Sequence, residues 1–199
     1  MRSVLATVLL AFPLLLSCDA SAGSLVGKAA PDFTLTSLDG ATFKLSEQAG
    51  KTVVLEWFNP GCPFVQEAHG TGALSAAAAP YLAKGVVWVA INSGAPGKEG
   101  HGLELNKESA TKWAMTHPVL LDEKGTVGKQ YNAVTTPQLV VVDPAGKVAY
   151  AGALDNAPLG KVQGGGARVP WFTNALDEVL AGKPVSLAET KPWGCSVKY

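Results

Sequence analysis

The sequence predicts one α/β domain in which a central mixed β-sheet is covered on both faces by helices. Two apolar runs, residues 53–58 with Glu56 as the one exception and residues 86–91, are typical of strands that are buried on both sides. Helical segments alternate with these strands, and the chain then continues into a hairpin and a last helix. This order of elements is typical of a mixed sheet between two helical layers.

Elements of the first half follow from local patterns. Residues 33–35 and 42–45, joined across Leu38-Asp39-Gly40, predict an N-terminal β-hairpin extension. After the first buried strand, residues 63–83 have a helical pattern that His69-Gly70-Thr71-Gly72 interrupts. Pro80 is expected to distort the end of the second helical piece because it lacks a backbone N–H.

The second half continues the alternation. Asn106 is predicted to cap a helix that reaches about Met115, because its side chain can accept from free backbone N–H groups. Residues 119–121 form a short apolar run that we interpret as an edge strand. The remaining predicted elements are a helical turn at 128–132, strands at 139–142 and 147–151 joined by a turn, and a helix at 170–180.

Composition limits the classes of partner. The chain has 199 residues, of which 47% are hydrophobic and 16% are charged, so it can bury one good core. Lys and Arg together number 16, as do Asp and Glu. Nucleic acid is therefore not an expected partner, because the chain has no excess of basic charge.

Residues 1–22 are predicted to be a signal peptide. Arg2 precedes an apolar stretch that is too short for a comfortable membrane span. Two cleavage sites compete: residues 15–18 resemble a bacterial lipobox in which Cys18 is lipidated, and residues 20–22 fit an ordinary Ala-x-Ala site. Both predict export to the bacterial cell envelope, and the first adds a lipid anchor. The domain is then expected over residues 23–182, with a polar tail at 183–199.

Cys62 is the strongest candidate for a reactive residue. It lies where a strand pattern gives way to a helix pattern, between Gly61 and Pro63. Free N–H groups and the dipole at a helix N-terminus favour a thiolate. With Cys18 assigned to the leader, Cys62 and Cys195 remain as a pair, in a compartment where disulfides persist.

The order of elements and three local sequences resemble the thioredoxin fold in its AhpC/TSA-type redoxin branch. The three sequences are residues 57–65, 134–140 and 143–151. The resemblance implies that the Thr136–Pro137 peptide is cis and packs beside the nucleophile. It also implies a substrate-binding surface around Cys62, which consists of Asn59, Pro60, Gly61, Pro63, Thr136 and Pro137.

Glu56 lies in the otherwise apolar strand before Cys62 and resembles the buried acidic residue of thioredoxins. Burial is expected to raise the pKa of a lone carboxyl group, which could then exchange protons with a nearby thiol. In the alternative interpretation, Glu56 reaches solvent or a lysine such as Lys51. Both interpretations remain open from the sequence.

The chain departs from the family pattern in ways that bear on mechanism. Val65 occupies the position of the second cysteine of Cys-x-x-Cys, so the partner thiol must be Cys195 or belong to another molecule. The distant pair is similar to that of peroxiredoxins. However, Asn59 replaces their hydroxyl residue, and no arginine lies near Pro137. These departures weaken the hypothesis of a peroxide substrate, although the Asn59 amide can still donate a hydrogen bond to a peroxide.

The leading hypothesis is a thiol-dependent oxidoreductase that uses no cofactor, with Cys62 as nucleophile, Cys195 as resolving thiol and Glu56 as proton shuttle. Its reductant is expected to be a protein thiol, and its substrate a disulfide or a peroxide. A permanent structural Cys62–Cys195 disulfide is the first alternative. A metal-binding chaperone is the second, although His69, His101 and His117 are scattered and His69 resembles a surface-loop residue.

Overall fold

The computed structural model describes residues 23–162 and 164–199; the predicted leader, with Cys18, lies outside the described residues. The strands are β1 (Thr34–Ser37), β2 (Thr42–Lys44), β3 (Val53–Trp57), β4 (Val87–Asn92), β5 (Val119–Leu121), β6 (Thr135–Thr136), β7 (Gln138–Val142), β8 (Val148–Gly152) and β9 (Cys195–Ser196). The α-helices are α1 (Pro63–Gly70), α2 (Ser75–Leu82), α3 (Leu103–Lys112), α4 (Thr126–Gln130) and α5 (Trp171–Leu180). In this part of the chain, no helix is long and apolar enough to span a membrane.

The main sheet has seven strands in the order β2-β1-β5-β4-β3-β7-β8. Strands β3, β4 and β5 run parallel, and the remaining pairs are antiparallel, which confirms the predicted mixed sheet. The interpretation of residues 119–121 as an edge strand is wrong. Strand β5 lies between β4 and β1, because the N-terminal hairpin adds to the sheet beyond it.

Alternation along β3 divides the core between the two faces of the sheet. Val53, Leu55 and Trp57 pack on one face with residues such as Tyr131. Val54 packs on the opposite face, in a cluster with residues of α2 and α5. Glu56 lies on the same side of the strand as Val54, so its carboxylate is directed into a helix-covered layer.

Asn106 does not cap α3, contrary to the prediction. The helix begins at Leu103, and Gly102 is its N-cap, with a φ of 113° that favours glycine. The Asn106 side chain is buried and donates to the carbonyls of Gly100 and Gly102. Asn106 therefore bonds to the loop before α3, although asparagine is also a residue type that often caps helices.

The tail after α5 returns to the domain and is not merely a polar extension. Its strand β9 pairs antiparallel with β6, so that Cys195 lies opposite Thr136 and Ser196 opposite Thr135. The peptide between Thr136 and Pro137 is cis, as predicted. The tail therefore ends its path beside the loop that contains this proline.

Candidate functional site

Cys62 is the N-cap residue of α1. Strand β3 ends at Trp57, a short loop follows, and Pro63 opens the helix, where its fixed φ and missing N–H suit the first position. The Cys62 N–H donates to the Asn59 carbonyl at 3.0 Å, and its carbonyl accepts from Gln66 N at 2.9 Å. The sulfur is thus held at the positive end of the helix dipole, which stabilises negative charge there.

Asn59 organises the loop before Cys62. Its Oδ1 accepts from the Gly61 N–H at 2.8 Å, and its Nδ2 donates to Glu99 Oε1 at 3.3 Å. Gly100 packs so tightly against this side chain that a Cβ there would overlap the Asn59 amide. The amide expected to serve a peroxide is therefore bonded to other groups of the protein.

Cys195 lies directly beside Cys62, although 133 positions separate them in the chain. The two sulfurs are 2.6 Å apart, and both residues are free cysteines. Cys62 Sγ also lies 3.1 Å from the carbonyl oxygen of Thr136, the residue before the cis proline. Strand pairing, cis proline and helix N-terminus thus converge on one pair of thiols.

Burial distinguishes the two thiols. Cys62 is 0% exposed and packs with Phe58, Val65 and Ala90, whereas Cys195 is partly exposed. Burial, followed by the hydrogen bond and the charge of Cys62, raises the pKa of Cys195 to about 12. Cys195 therefore keeps its proton at neutral pH while it lies against Cys62.

The segment that covers Cys62, residues 193–199, is held by its pairing with β6, by further hydrogen bonds and by the side chains of Trp193 and Tyr199, of which Tyr199 packs beside Lys129. Trp193 packs against Phe64 with ring centroids 5.8 Å apart. The hydrogen bonds run from Trp193 Nε1 to Asp155 O (2.6 Å), from Val197 N to Val134 O (3.1 Å), from Tyr199 Oη to Ala133 O (2.7 Å) and from Ala95 N to Lys198 O (2.8 Å). All four hydrogen bonds have a backbone carbonyl as acceptor, so they fix the path of the tail more than they select its side chains.

The expected rise in the pKa of Glu56 is wrong. The carboxylate is fully buried, which opposes its charge, but His69 Nε2 lies 2.6 Å from Oε1 and Trp88 Nε1 donates to Oε2 at 3.1 Å. Desolvation is the largest single influence and favours the protonated form, but His69, His117 and Trp88 together outweigh it and lower the pKa of Glu56. The alternative contact is also absent, because Lys51 donates to Gln48.

His69 and His117 were not predicted to surround Glu56. His69 is buried on the inner face of α1, stacks on Trp113 at 5.2 Å and bonds through Nδ1 to Ser75 Oγ at 2.8 Å. His117 Nε2 lies 3.8 Å from Glu56 Oε2, and neither ring nitrogen has a hydrogen-bond partner among the described residues. Burial lowers the pKa of His117 despite the opposing charge of Glu56.

The position of His69 corrects its interpretation as a surface-loop residue. The seven-residue spacing from Cys62 puts both on one helix face two turns apart, about 10 Å, and that face is buried. The seven-residue spacing from Cys62 indicates that His69 shares the helix face of Cys62, whereas the glycine after His69 had favoured a loop. Among the ion pairs of the described residues, His101 takes part only in the pair with Glu123. In residues 23–162 and 164–199, no group of three or more His, Cys, Asp or Glu side chains could hold a metal ion.

The other expected substrate-binding residues lie around the thiols. Pro60 is buried, and its carbonyl accepts from Gln66 Nε2 at 3.0 Å. Thr136 is 2% exposed, and its hydroxyl has no hydrogen-bond partner within the described part of the chain. Pro63 is exposed at the start of α1. The Thr136 carbonyl oxygen and Cys195 Sγ thus both border the Cys62 sulfur, and Pro63 follows Cys62 at the start of α1.

Comparison with known proteins agrees with this geometry. The thiol-disulfide oxidoreductase ResA of Geobacillus thermodenitrificans is 29% identical over 131 residues, which are 62% of this chain and 66% of that protein. The thioredoxin-like protein YneN of Bacillus subtilis is 30% identical over 123 residues, 61% of this chain and 68% of that protein. This chain thus spans just under two thirds of the length of the ResA relative.

Structural similarity covers more of the chain. A crystal structure of an uncharacterized conserved protein from Geobacillus kaustophilus matches with a TM-score of 0.76 and 32% identity. The match covers 87% of this chain and 92% of that one. Residues 26–151 match the model of the AhpC/TSA family. The chain therefore belongs to the AhpC/TSA family and carries a thioredoxin-like redoxin domain.

Proposed function

We propose that the protein is a thiol-disulfide oxidoreductase in which Cys62 is the nucleophile and Cys195 is the resolving thiol. The observation that carries the proposal is the 2.6 Å separation of the two sulfurs at the N-terminus of α1, beside the cis proline. The ResA relative is named for the same chemistry. Asn59, Pro60, Gly61, Pro63, Thr136 and Pro137 form the proposed surface on which a substrate lies.

The proposed reaction has two exchanges. The Cys62 thiolate attacks one sulfur of a partner disulfide, so that a Cys62–partner disulfide forms and the other partner sulfur leaves as a thiolate. Cys195 then loses its proton and attacks the Cys62 sulfur. This second step forms the Cys62–Cys195 disulfide and releases the second partner thiolate. The partner disulfide gains two electrons, and the cysteine pair loses two.

The order of the two steps is supported by the raised pKa of Cys195. The Cys62 hydrogen bond and charge contribute to that rise after burial does. When Cys62 becomes part of a mixed disulfide, its charge is lost, and the proton of Cys195 becomes easier to remove. Formation of the first intermediate therefore activates the resolving thiol.

Glu56 is proposed to accept a proton within this site. A lowered pKa keeps Glu56 as a carboxylate. Glu56 lies on β3 and contacts His69, which is on the same helix face of α1 as the N-cap residue Cys62. In this role the carboxylate takes up a proton only transiently, because its lowered pKa makes it a weak base.

Turnover of a protein disulfide tests the proposal. With dithiothreitol as the reductant, the wild-type protein should reduce the disulfides of insulin, and Cys62→Ser should abolish this activity. Pre-reduced Cys195→Ser, freed of dithiothreitol before insulin is added, should stop after one equivalent with insulin bound covalently to Cys62, which mass spectrometry detects. Release of both insulin thiols by this variant in the absence of dithiothreitol would remove Cys195 from the mechanism.

A permanent structural disulfide is the competing interpretation of the same pair. A structural disulfide has a reduction potential below about −300 mV, whereas a working disulfide is reduced more readily. We expect equilibration with glutathione and dithiothreitol buffers to place the Cys62–Cys195 couple above that value. A lower potential would favour the structural interpretation.

Peroxide reduction is a second candidate, which membership of the AhpC/TSA family favours. In this reaction the Cys62 thiolate attacks a peroxide oxygen, becomes a sulfenic acid and releases water or an alcohol; Cys195 then displaces water to form the disulfide. The bonded state of the Asn59 amide disfavours this reaction. Stoichiometric hydrogen peroxide should therefore oxidise Cys62 much more slowly than a disulfide does.

We further propose that the protein is exported to the cell envelope, with a protein thiol as its reductant there. The support is the leader-like segment 1–22, and lipidation at Cys18 would add a membrane anchor. Intact-mass measurement of the mature protein distinguishes a lipidated Cys18 from cleavage after residue 22.

A further inference from the structure

The tail lies beside Cys62 as an added β-strand. Cys195 and Ser196 pair antiparallel with Thr136 and Thr135, and this pairing is separate from the main sheet. Strand addition uses backbone hydrogen bonds for affinity and alternate side chains for specificity. The edge of β6 therefore has the geometry to accept an extended polypeptide, and the tail reveals one sequence that fits.

A partner and the tail cannot occupy this edge together. The first intermediate needs a partner sulfur at bonding distance from Cys62, about 2.05 Å. Cys195 Sγ already lies 2.6 Å from that sulfur, and Cys62 has no exposed surface. The segment around Cys195 must therefore leave β6 for the first exchange. For the second exchange the partner segment leaves the edge while its sulfur is still bonded to Cys62, and the tail returns to β6.

Building on the proposed function, we propose that the edge of β6 beside Cys62 docks an extended segment of a partner protein whose reactive cysteine follows a glycine and has an aromatic residue two positions before it. The tail, with Trp193, Gly194 and Cys195, is the competitor of that segment within the same chain. The site therefore selects its partner by local sequence.

The glycine requirement comes from the backbone beside Thr136. Gly194 has a φ of 140°, which disfavours other residues, and a Cβ at this position would overlap the Thr136 carbonyl oxygen. That oxygen lies at the cis peptide and 3.1 Å from Cys62 Sγ, so it cannot withdraw without moving the reactive site. A partner that follows the same path needs glycine before its cysteine.

The aromatic preference comes from the contacts of Trp193. Its Nε1 donates to the Asp155 carbonyl at 2.6 Å, and its ring packs on Phe64 of α1. A cavity of about 70 Å³ that Leu154 and Arg168 also line continues from these two rings. An aromatic side chain with a polar tip therefore packs against Phe64 and also donates a hydrogen bond to the Asp155 carbonyl.

Reactive peptides test the selectivity. The probe has the sequence of residues 191–197, Lys-Pro-Trp-Gly-Cys-Ser-Val, with its cysteine joined to 2-thiopyridine. Attack by Cys62 forms the Cys62–peptide disulfide and expels pyridine-2-thione, whose absorbance gives the rate. Cys195→Ser stops the reaction at this intermediate. The wild-type protein, measured in parallel, gives the same first phase without relying on the fold of a variant.

We expect the peptide with alanine in place of glycine to react at least about tenfold more slowly, since overpacking costs about 1–3 kcal/mol. Replacement of the peptide tryptophan by alanine should slow the reaction several-fold. Trp193→Ala in the Cys195→Ser protein should accelerate the reaction of Cys62 with all three peptides, because it weakens the binding of the competing tail to β6. The order of the three rates should stay the same.

The small disulfide 2,2′-dithiodipyridine separates the two proposals. If Cys62 reacts with it while the three peptides react at equal rates, the sequence preference is wrong and the proposed function stands. If Cys62 reacts with neither in the folded protein, the proposed function itself fails. Unchanged peptide rates in Trp193→Ala would show that the tail does not compete.

Discussion

Two clusters of ionisable side chains are buried in this domain, and they differ in what covers them. Cys62 lies beneath the tail segment 193–199, which contains Cys195 and is held by its pairing with β6, by further hydrogen bonds and by Trp193 and Tyr199. Glu56 and its two histidines lie beneath elements of the core, with both partner imidazoles fully buried. The tail segment can detach locally while the domain stays folded. Exposure of the Glu56 cluster requires that the core itself unfolds.

This difference separates chemical access from stability. Local opening costs little where few apolar contacts and many exposed backbone bonds hold a segment, and it approaches global unfolding in the core. Substitutions at the tail should therefore change the reactivity of Cys62 more than the stability of the domain. Substitutions at the Glu56 cluster should lower the stability of the domain more than they change access to Cys62.

The largest expected effect is on stability. Glu56→Leu removes the acceptor for His69 and Trp88, which leaves buried polar groups unpaired. Removal of one member of a buried pair costs about 3–5 kcal/mol, so the free energy of unfolding from urea denaturation at pH 7.5 should fall by that amount. Glu104→Leu, at an exposed glutamate of α3, is the matched control and should change it by less than about 0.5 kcal/mol.

A fall of less than about 1 kcal/mol in Glu56→Leu would break the comparison. It would mean that His69 and Trp88 find other partners or reach water, and that this cluster opens as readily as the tail. Hydrogen exchange at the amides of β3 would then show early exchange in the wild-type protein as well.

The next effect is on access to Cys62. Trp193→Ala removes the hydrogen bond to Asp155 and the contact with Phe64, so the tail should open about tenfold more often. Alkylation of Cys62 by iodoacetamide in the reduced protein, followed by mass spectrometry, should accelerate by this factor. Leu187→Ala, at a tail residue that is 46% exposed, should leave the rate unchanged. Equal rates in all three proteins would contradict a removable cover.

The smallest effect concerns pH. Burial lowers the pKa of His117 in the folded protein, so the unfolded chain binds this proton more readily once the pH falls below about 6.5. Stability should therefore decline as the pH falls through 6.5. His117→Phe removes that contribution, and its free energy of unfolding should decline less than that of the wild type between pH 7 and pH 5. Parallel pH profiles would mean that His117 does not titrate differently in the two states.

Glu56 adds to acid sensitivity at lower pH. Its pKa is lowered from an ordinary value of 4.5, so its contribution to stability is complete above that value and is lost as the pH falls further. The contributions of Glu56 and His117 thus begin to be lost at different pH values, which keeps the His117 comparison readable above pH 5.

Much of the fold followed from local patterns. Apolar runs marked β3 and β4, and the strand-to-helix transition identified Cys62 as the residue that opens α1. The cis peptide before Pro137 came from the family resemblance, because spacing alone does not distinguish cis from trans. These features depend on local sequence or on a pattern shared with relatives.

The features that the sequence did not reveal depend on tertiary contacts. Asn106 bonds to the loop before α3, and His69 turns inward to a carboxylate on another element. The raised pKa expected for Glu56 assumed an isolated group, and neither the histidines nor Trp88 could be placed beside it from spacing. The path of the tail was also invisible, since β9 is two residues long.

The valine at position 65 has a thermodynamic consequence. Because the second thiol is 133 positions away, oxidation closes nearly the whole domain into a covalent ring. In the chain-entropy model a ring of this size disfavours the unfolded state by about 4–5 kcal/mol. A cysteine at position 65 would have closed a ring of only a few residues. The oxidised protein should therefore melt at a higher temperature than the reduced protein, so that acceptance of an electron pair at one disulfide lowers the stability of the entire domain.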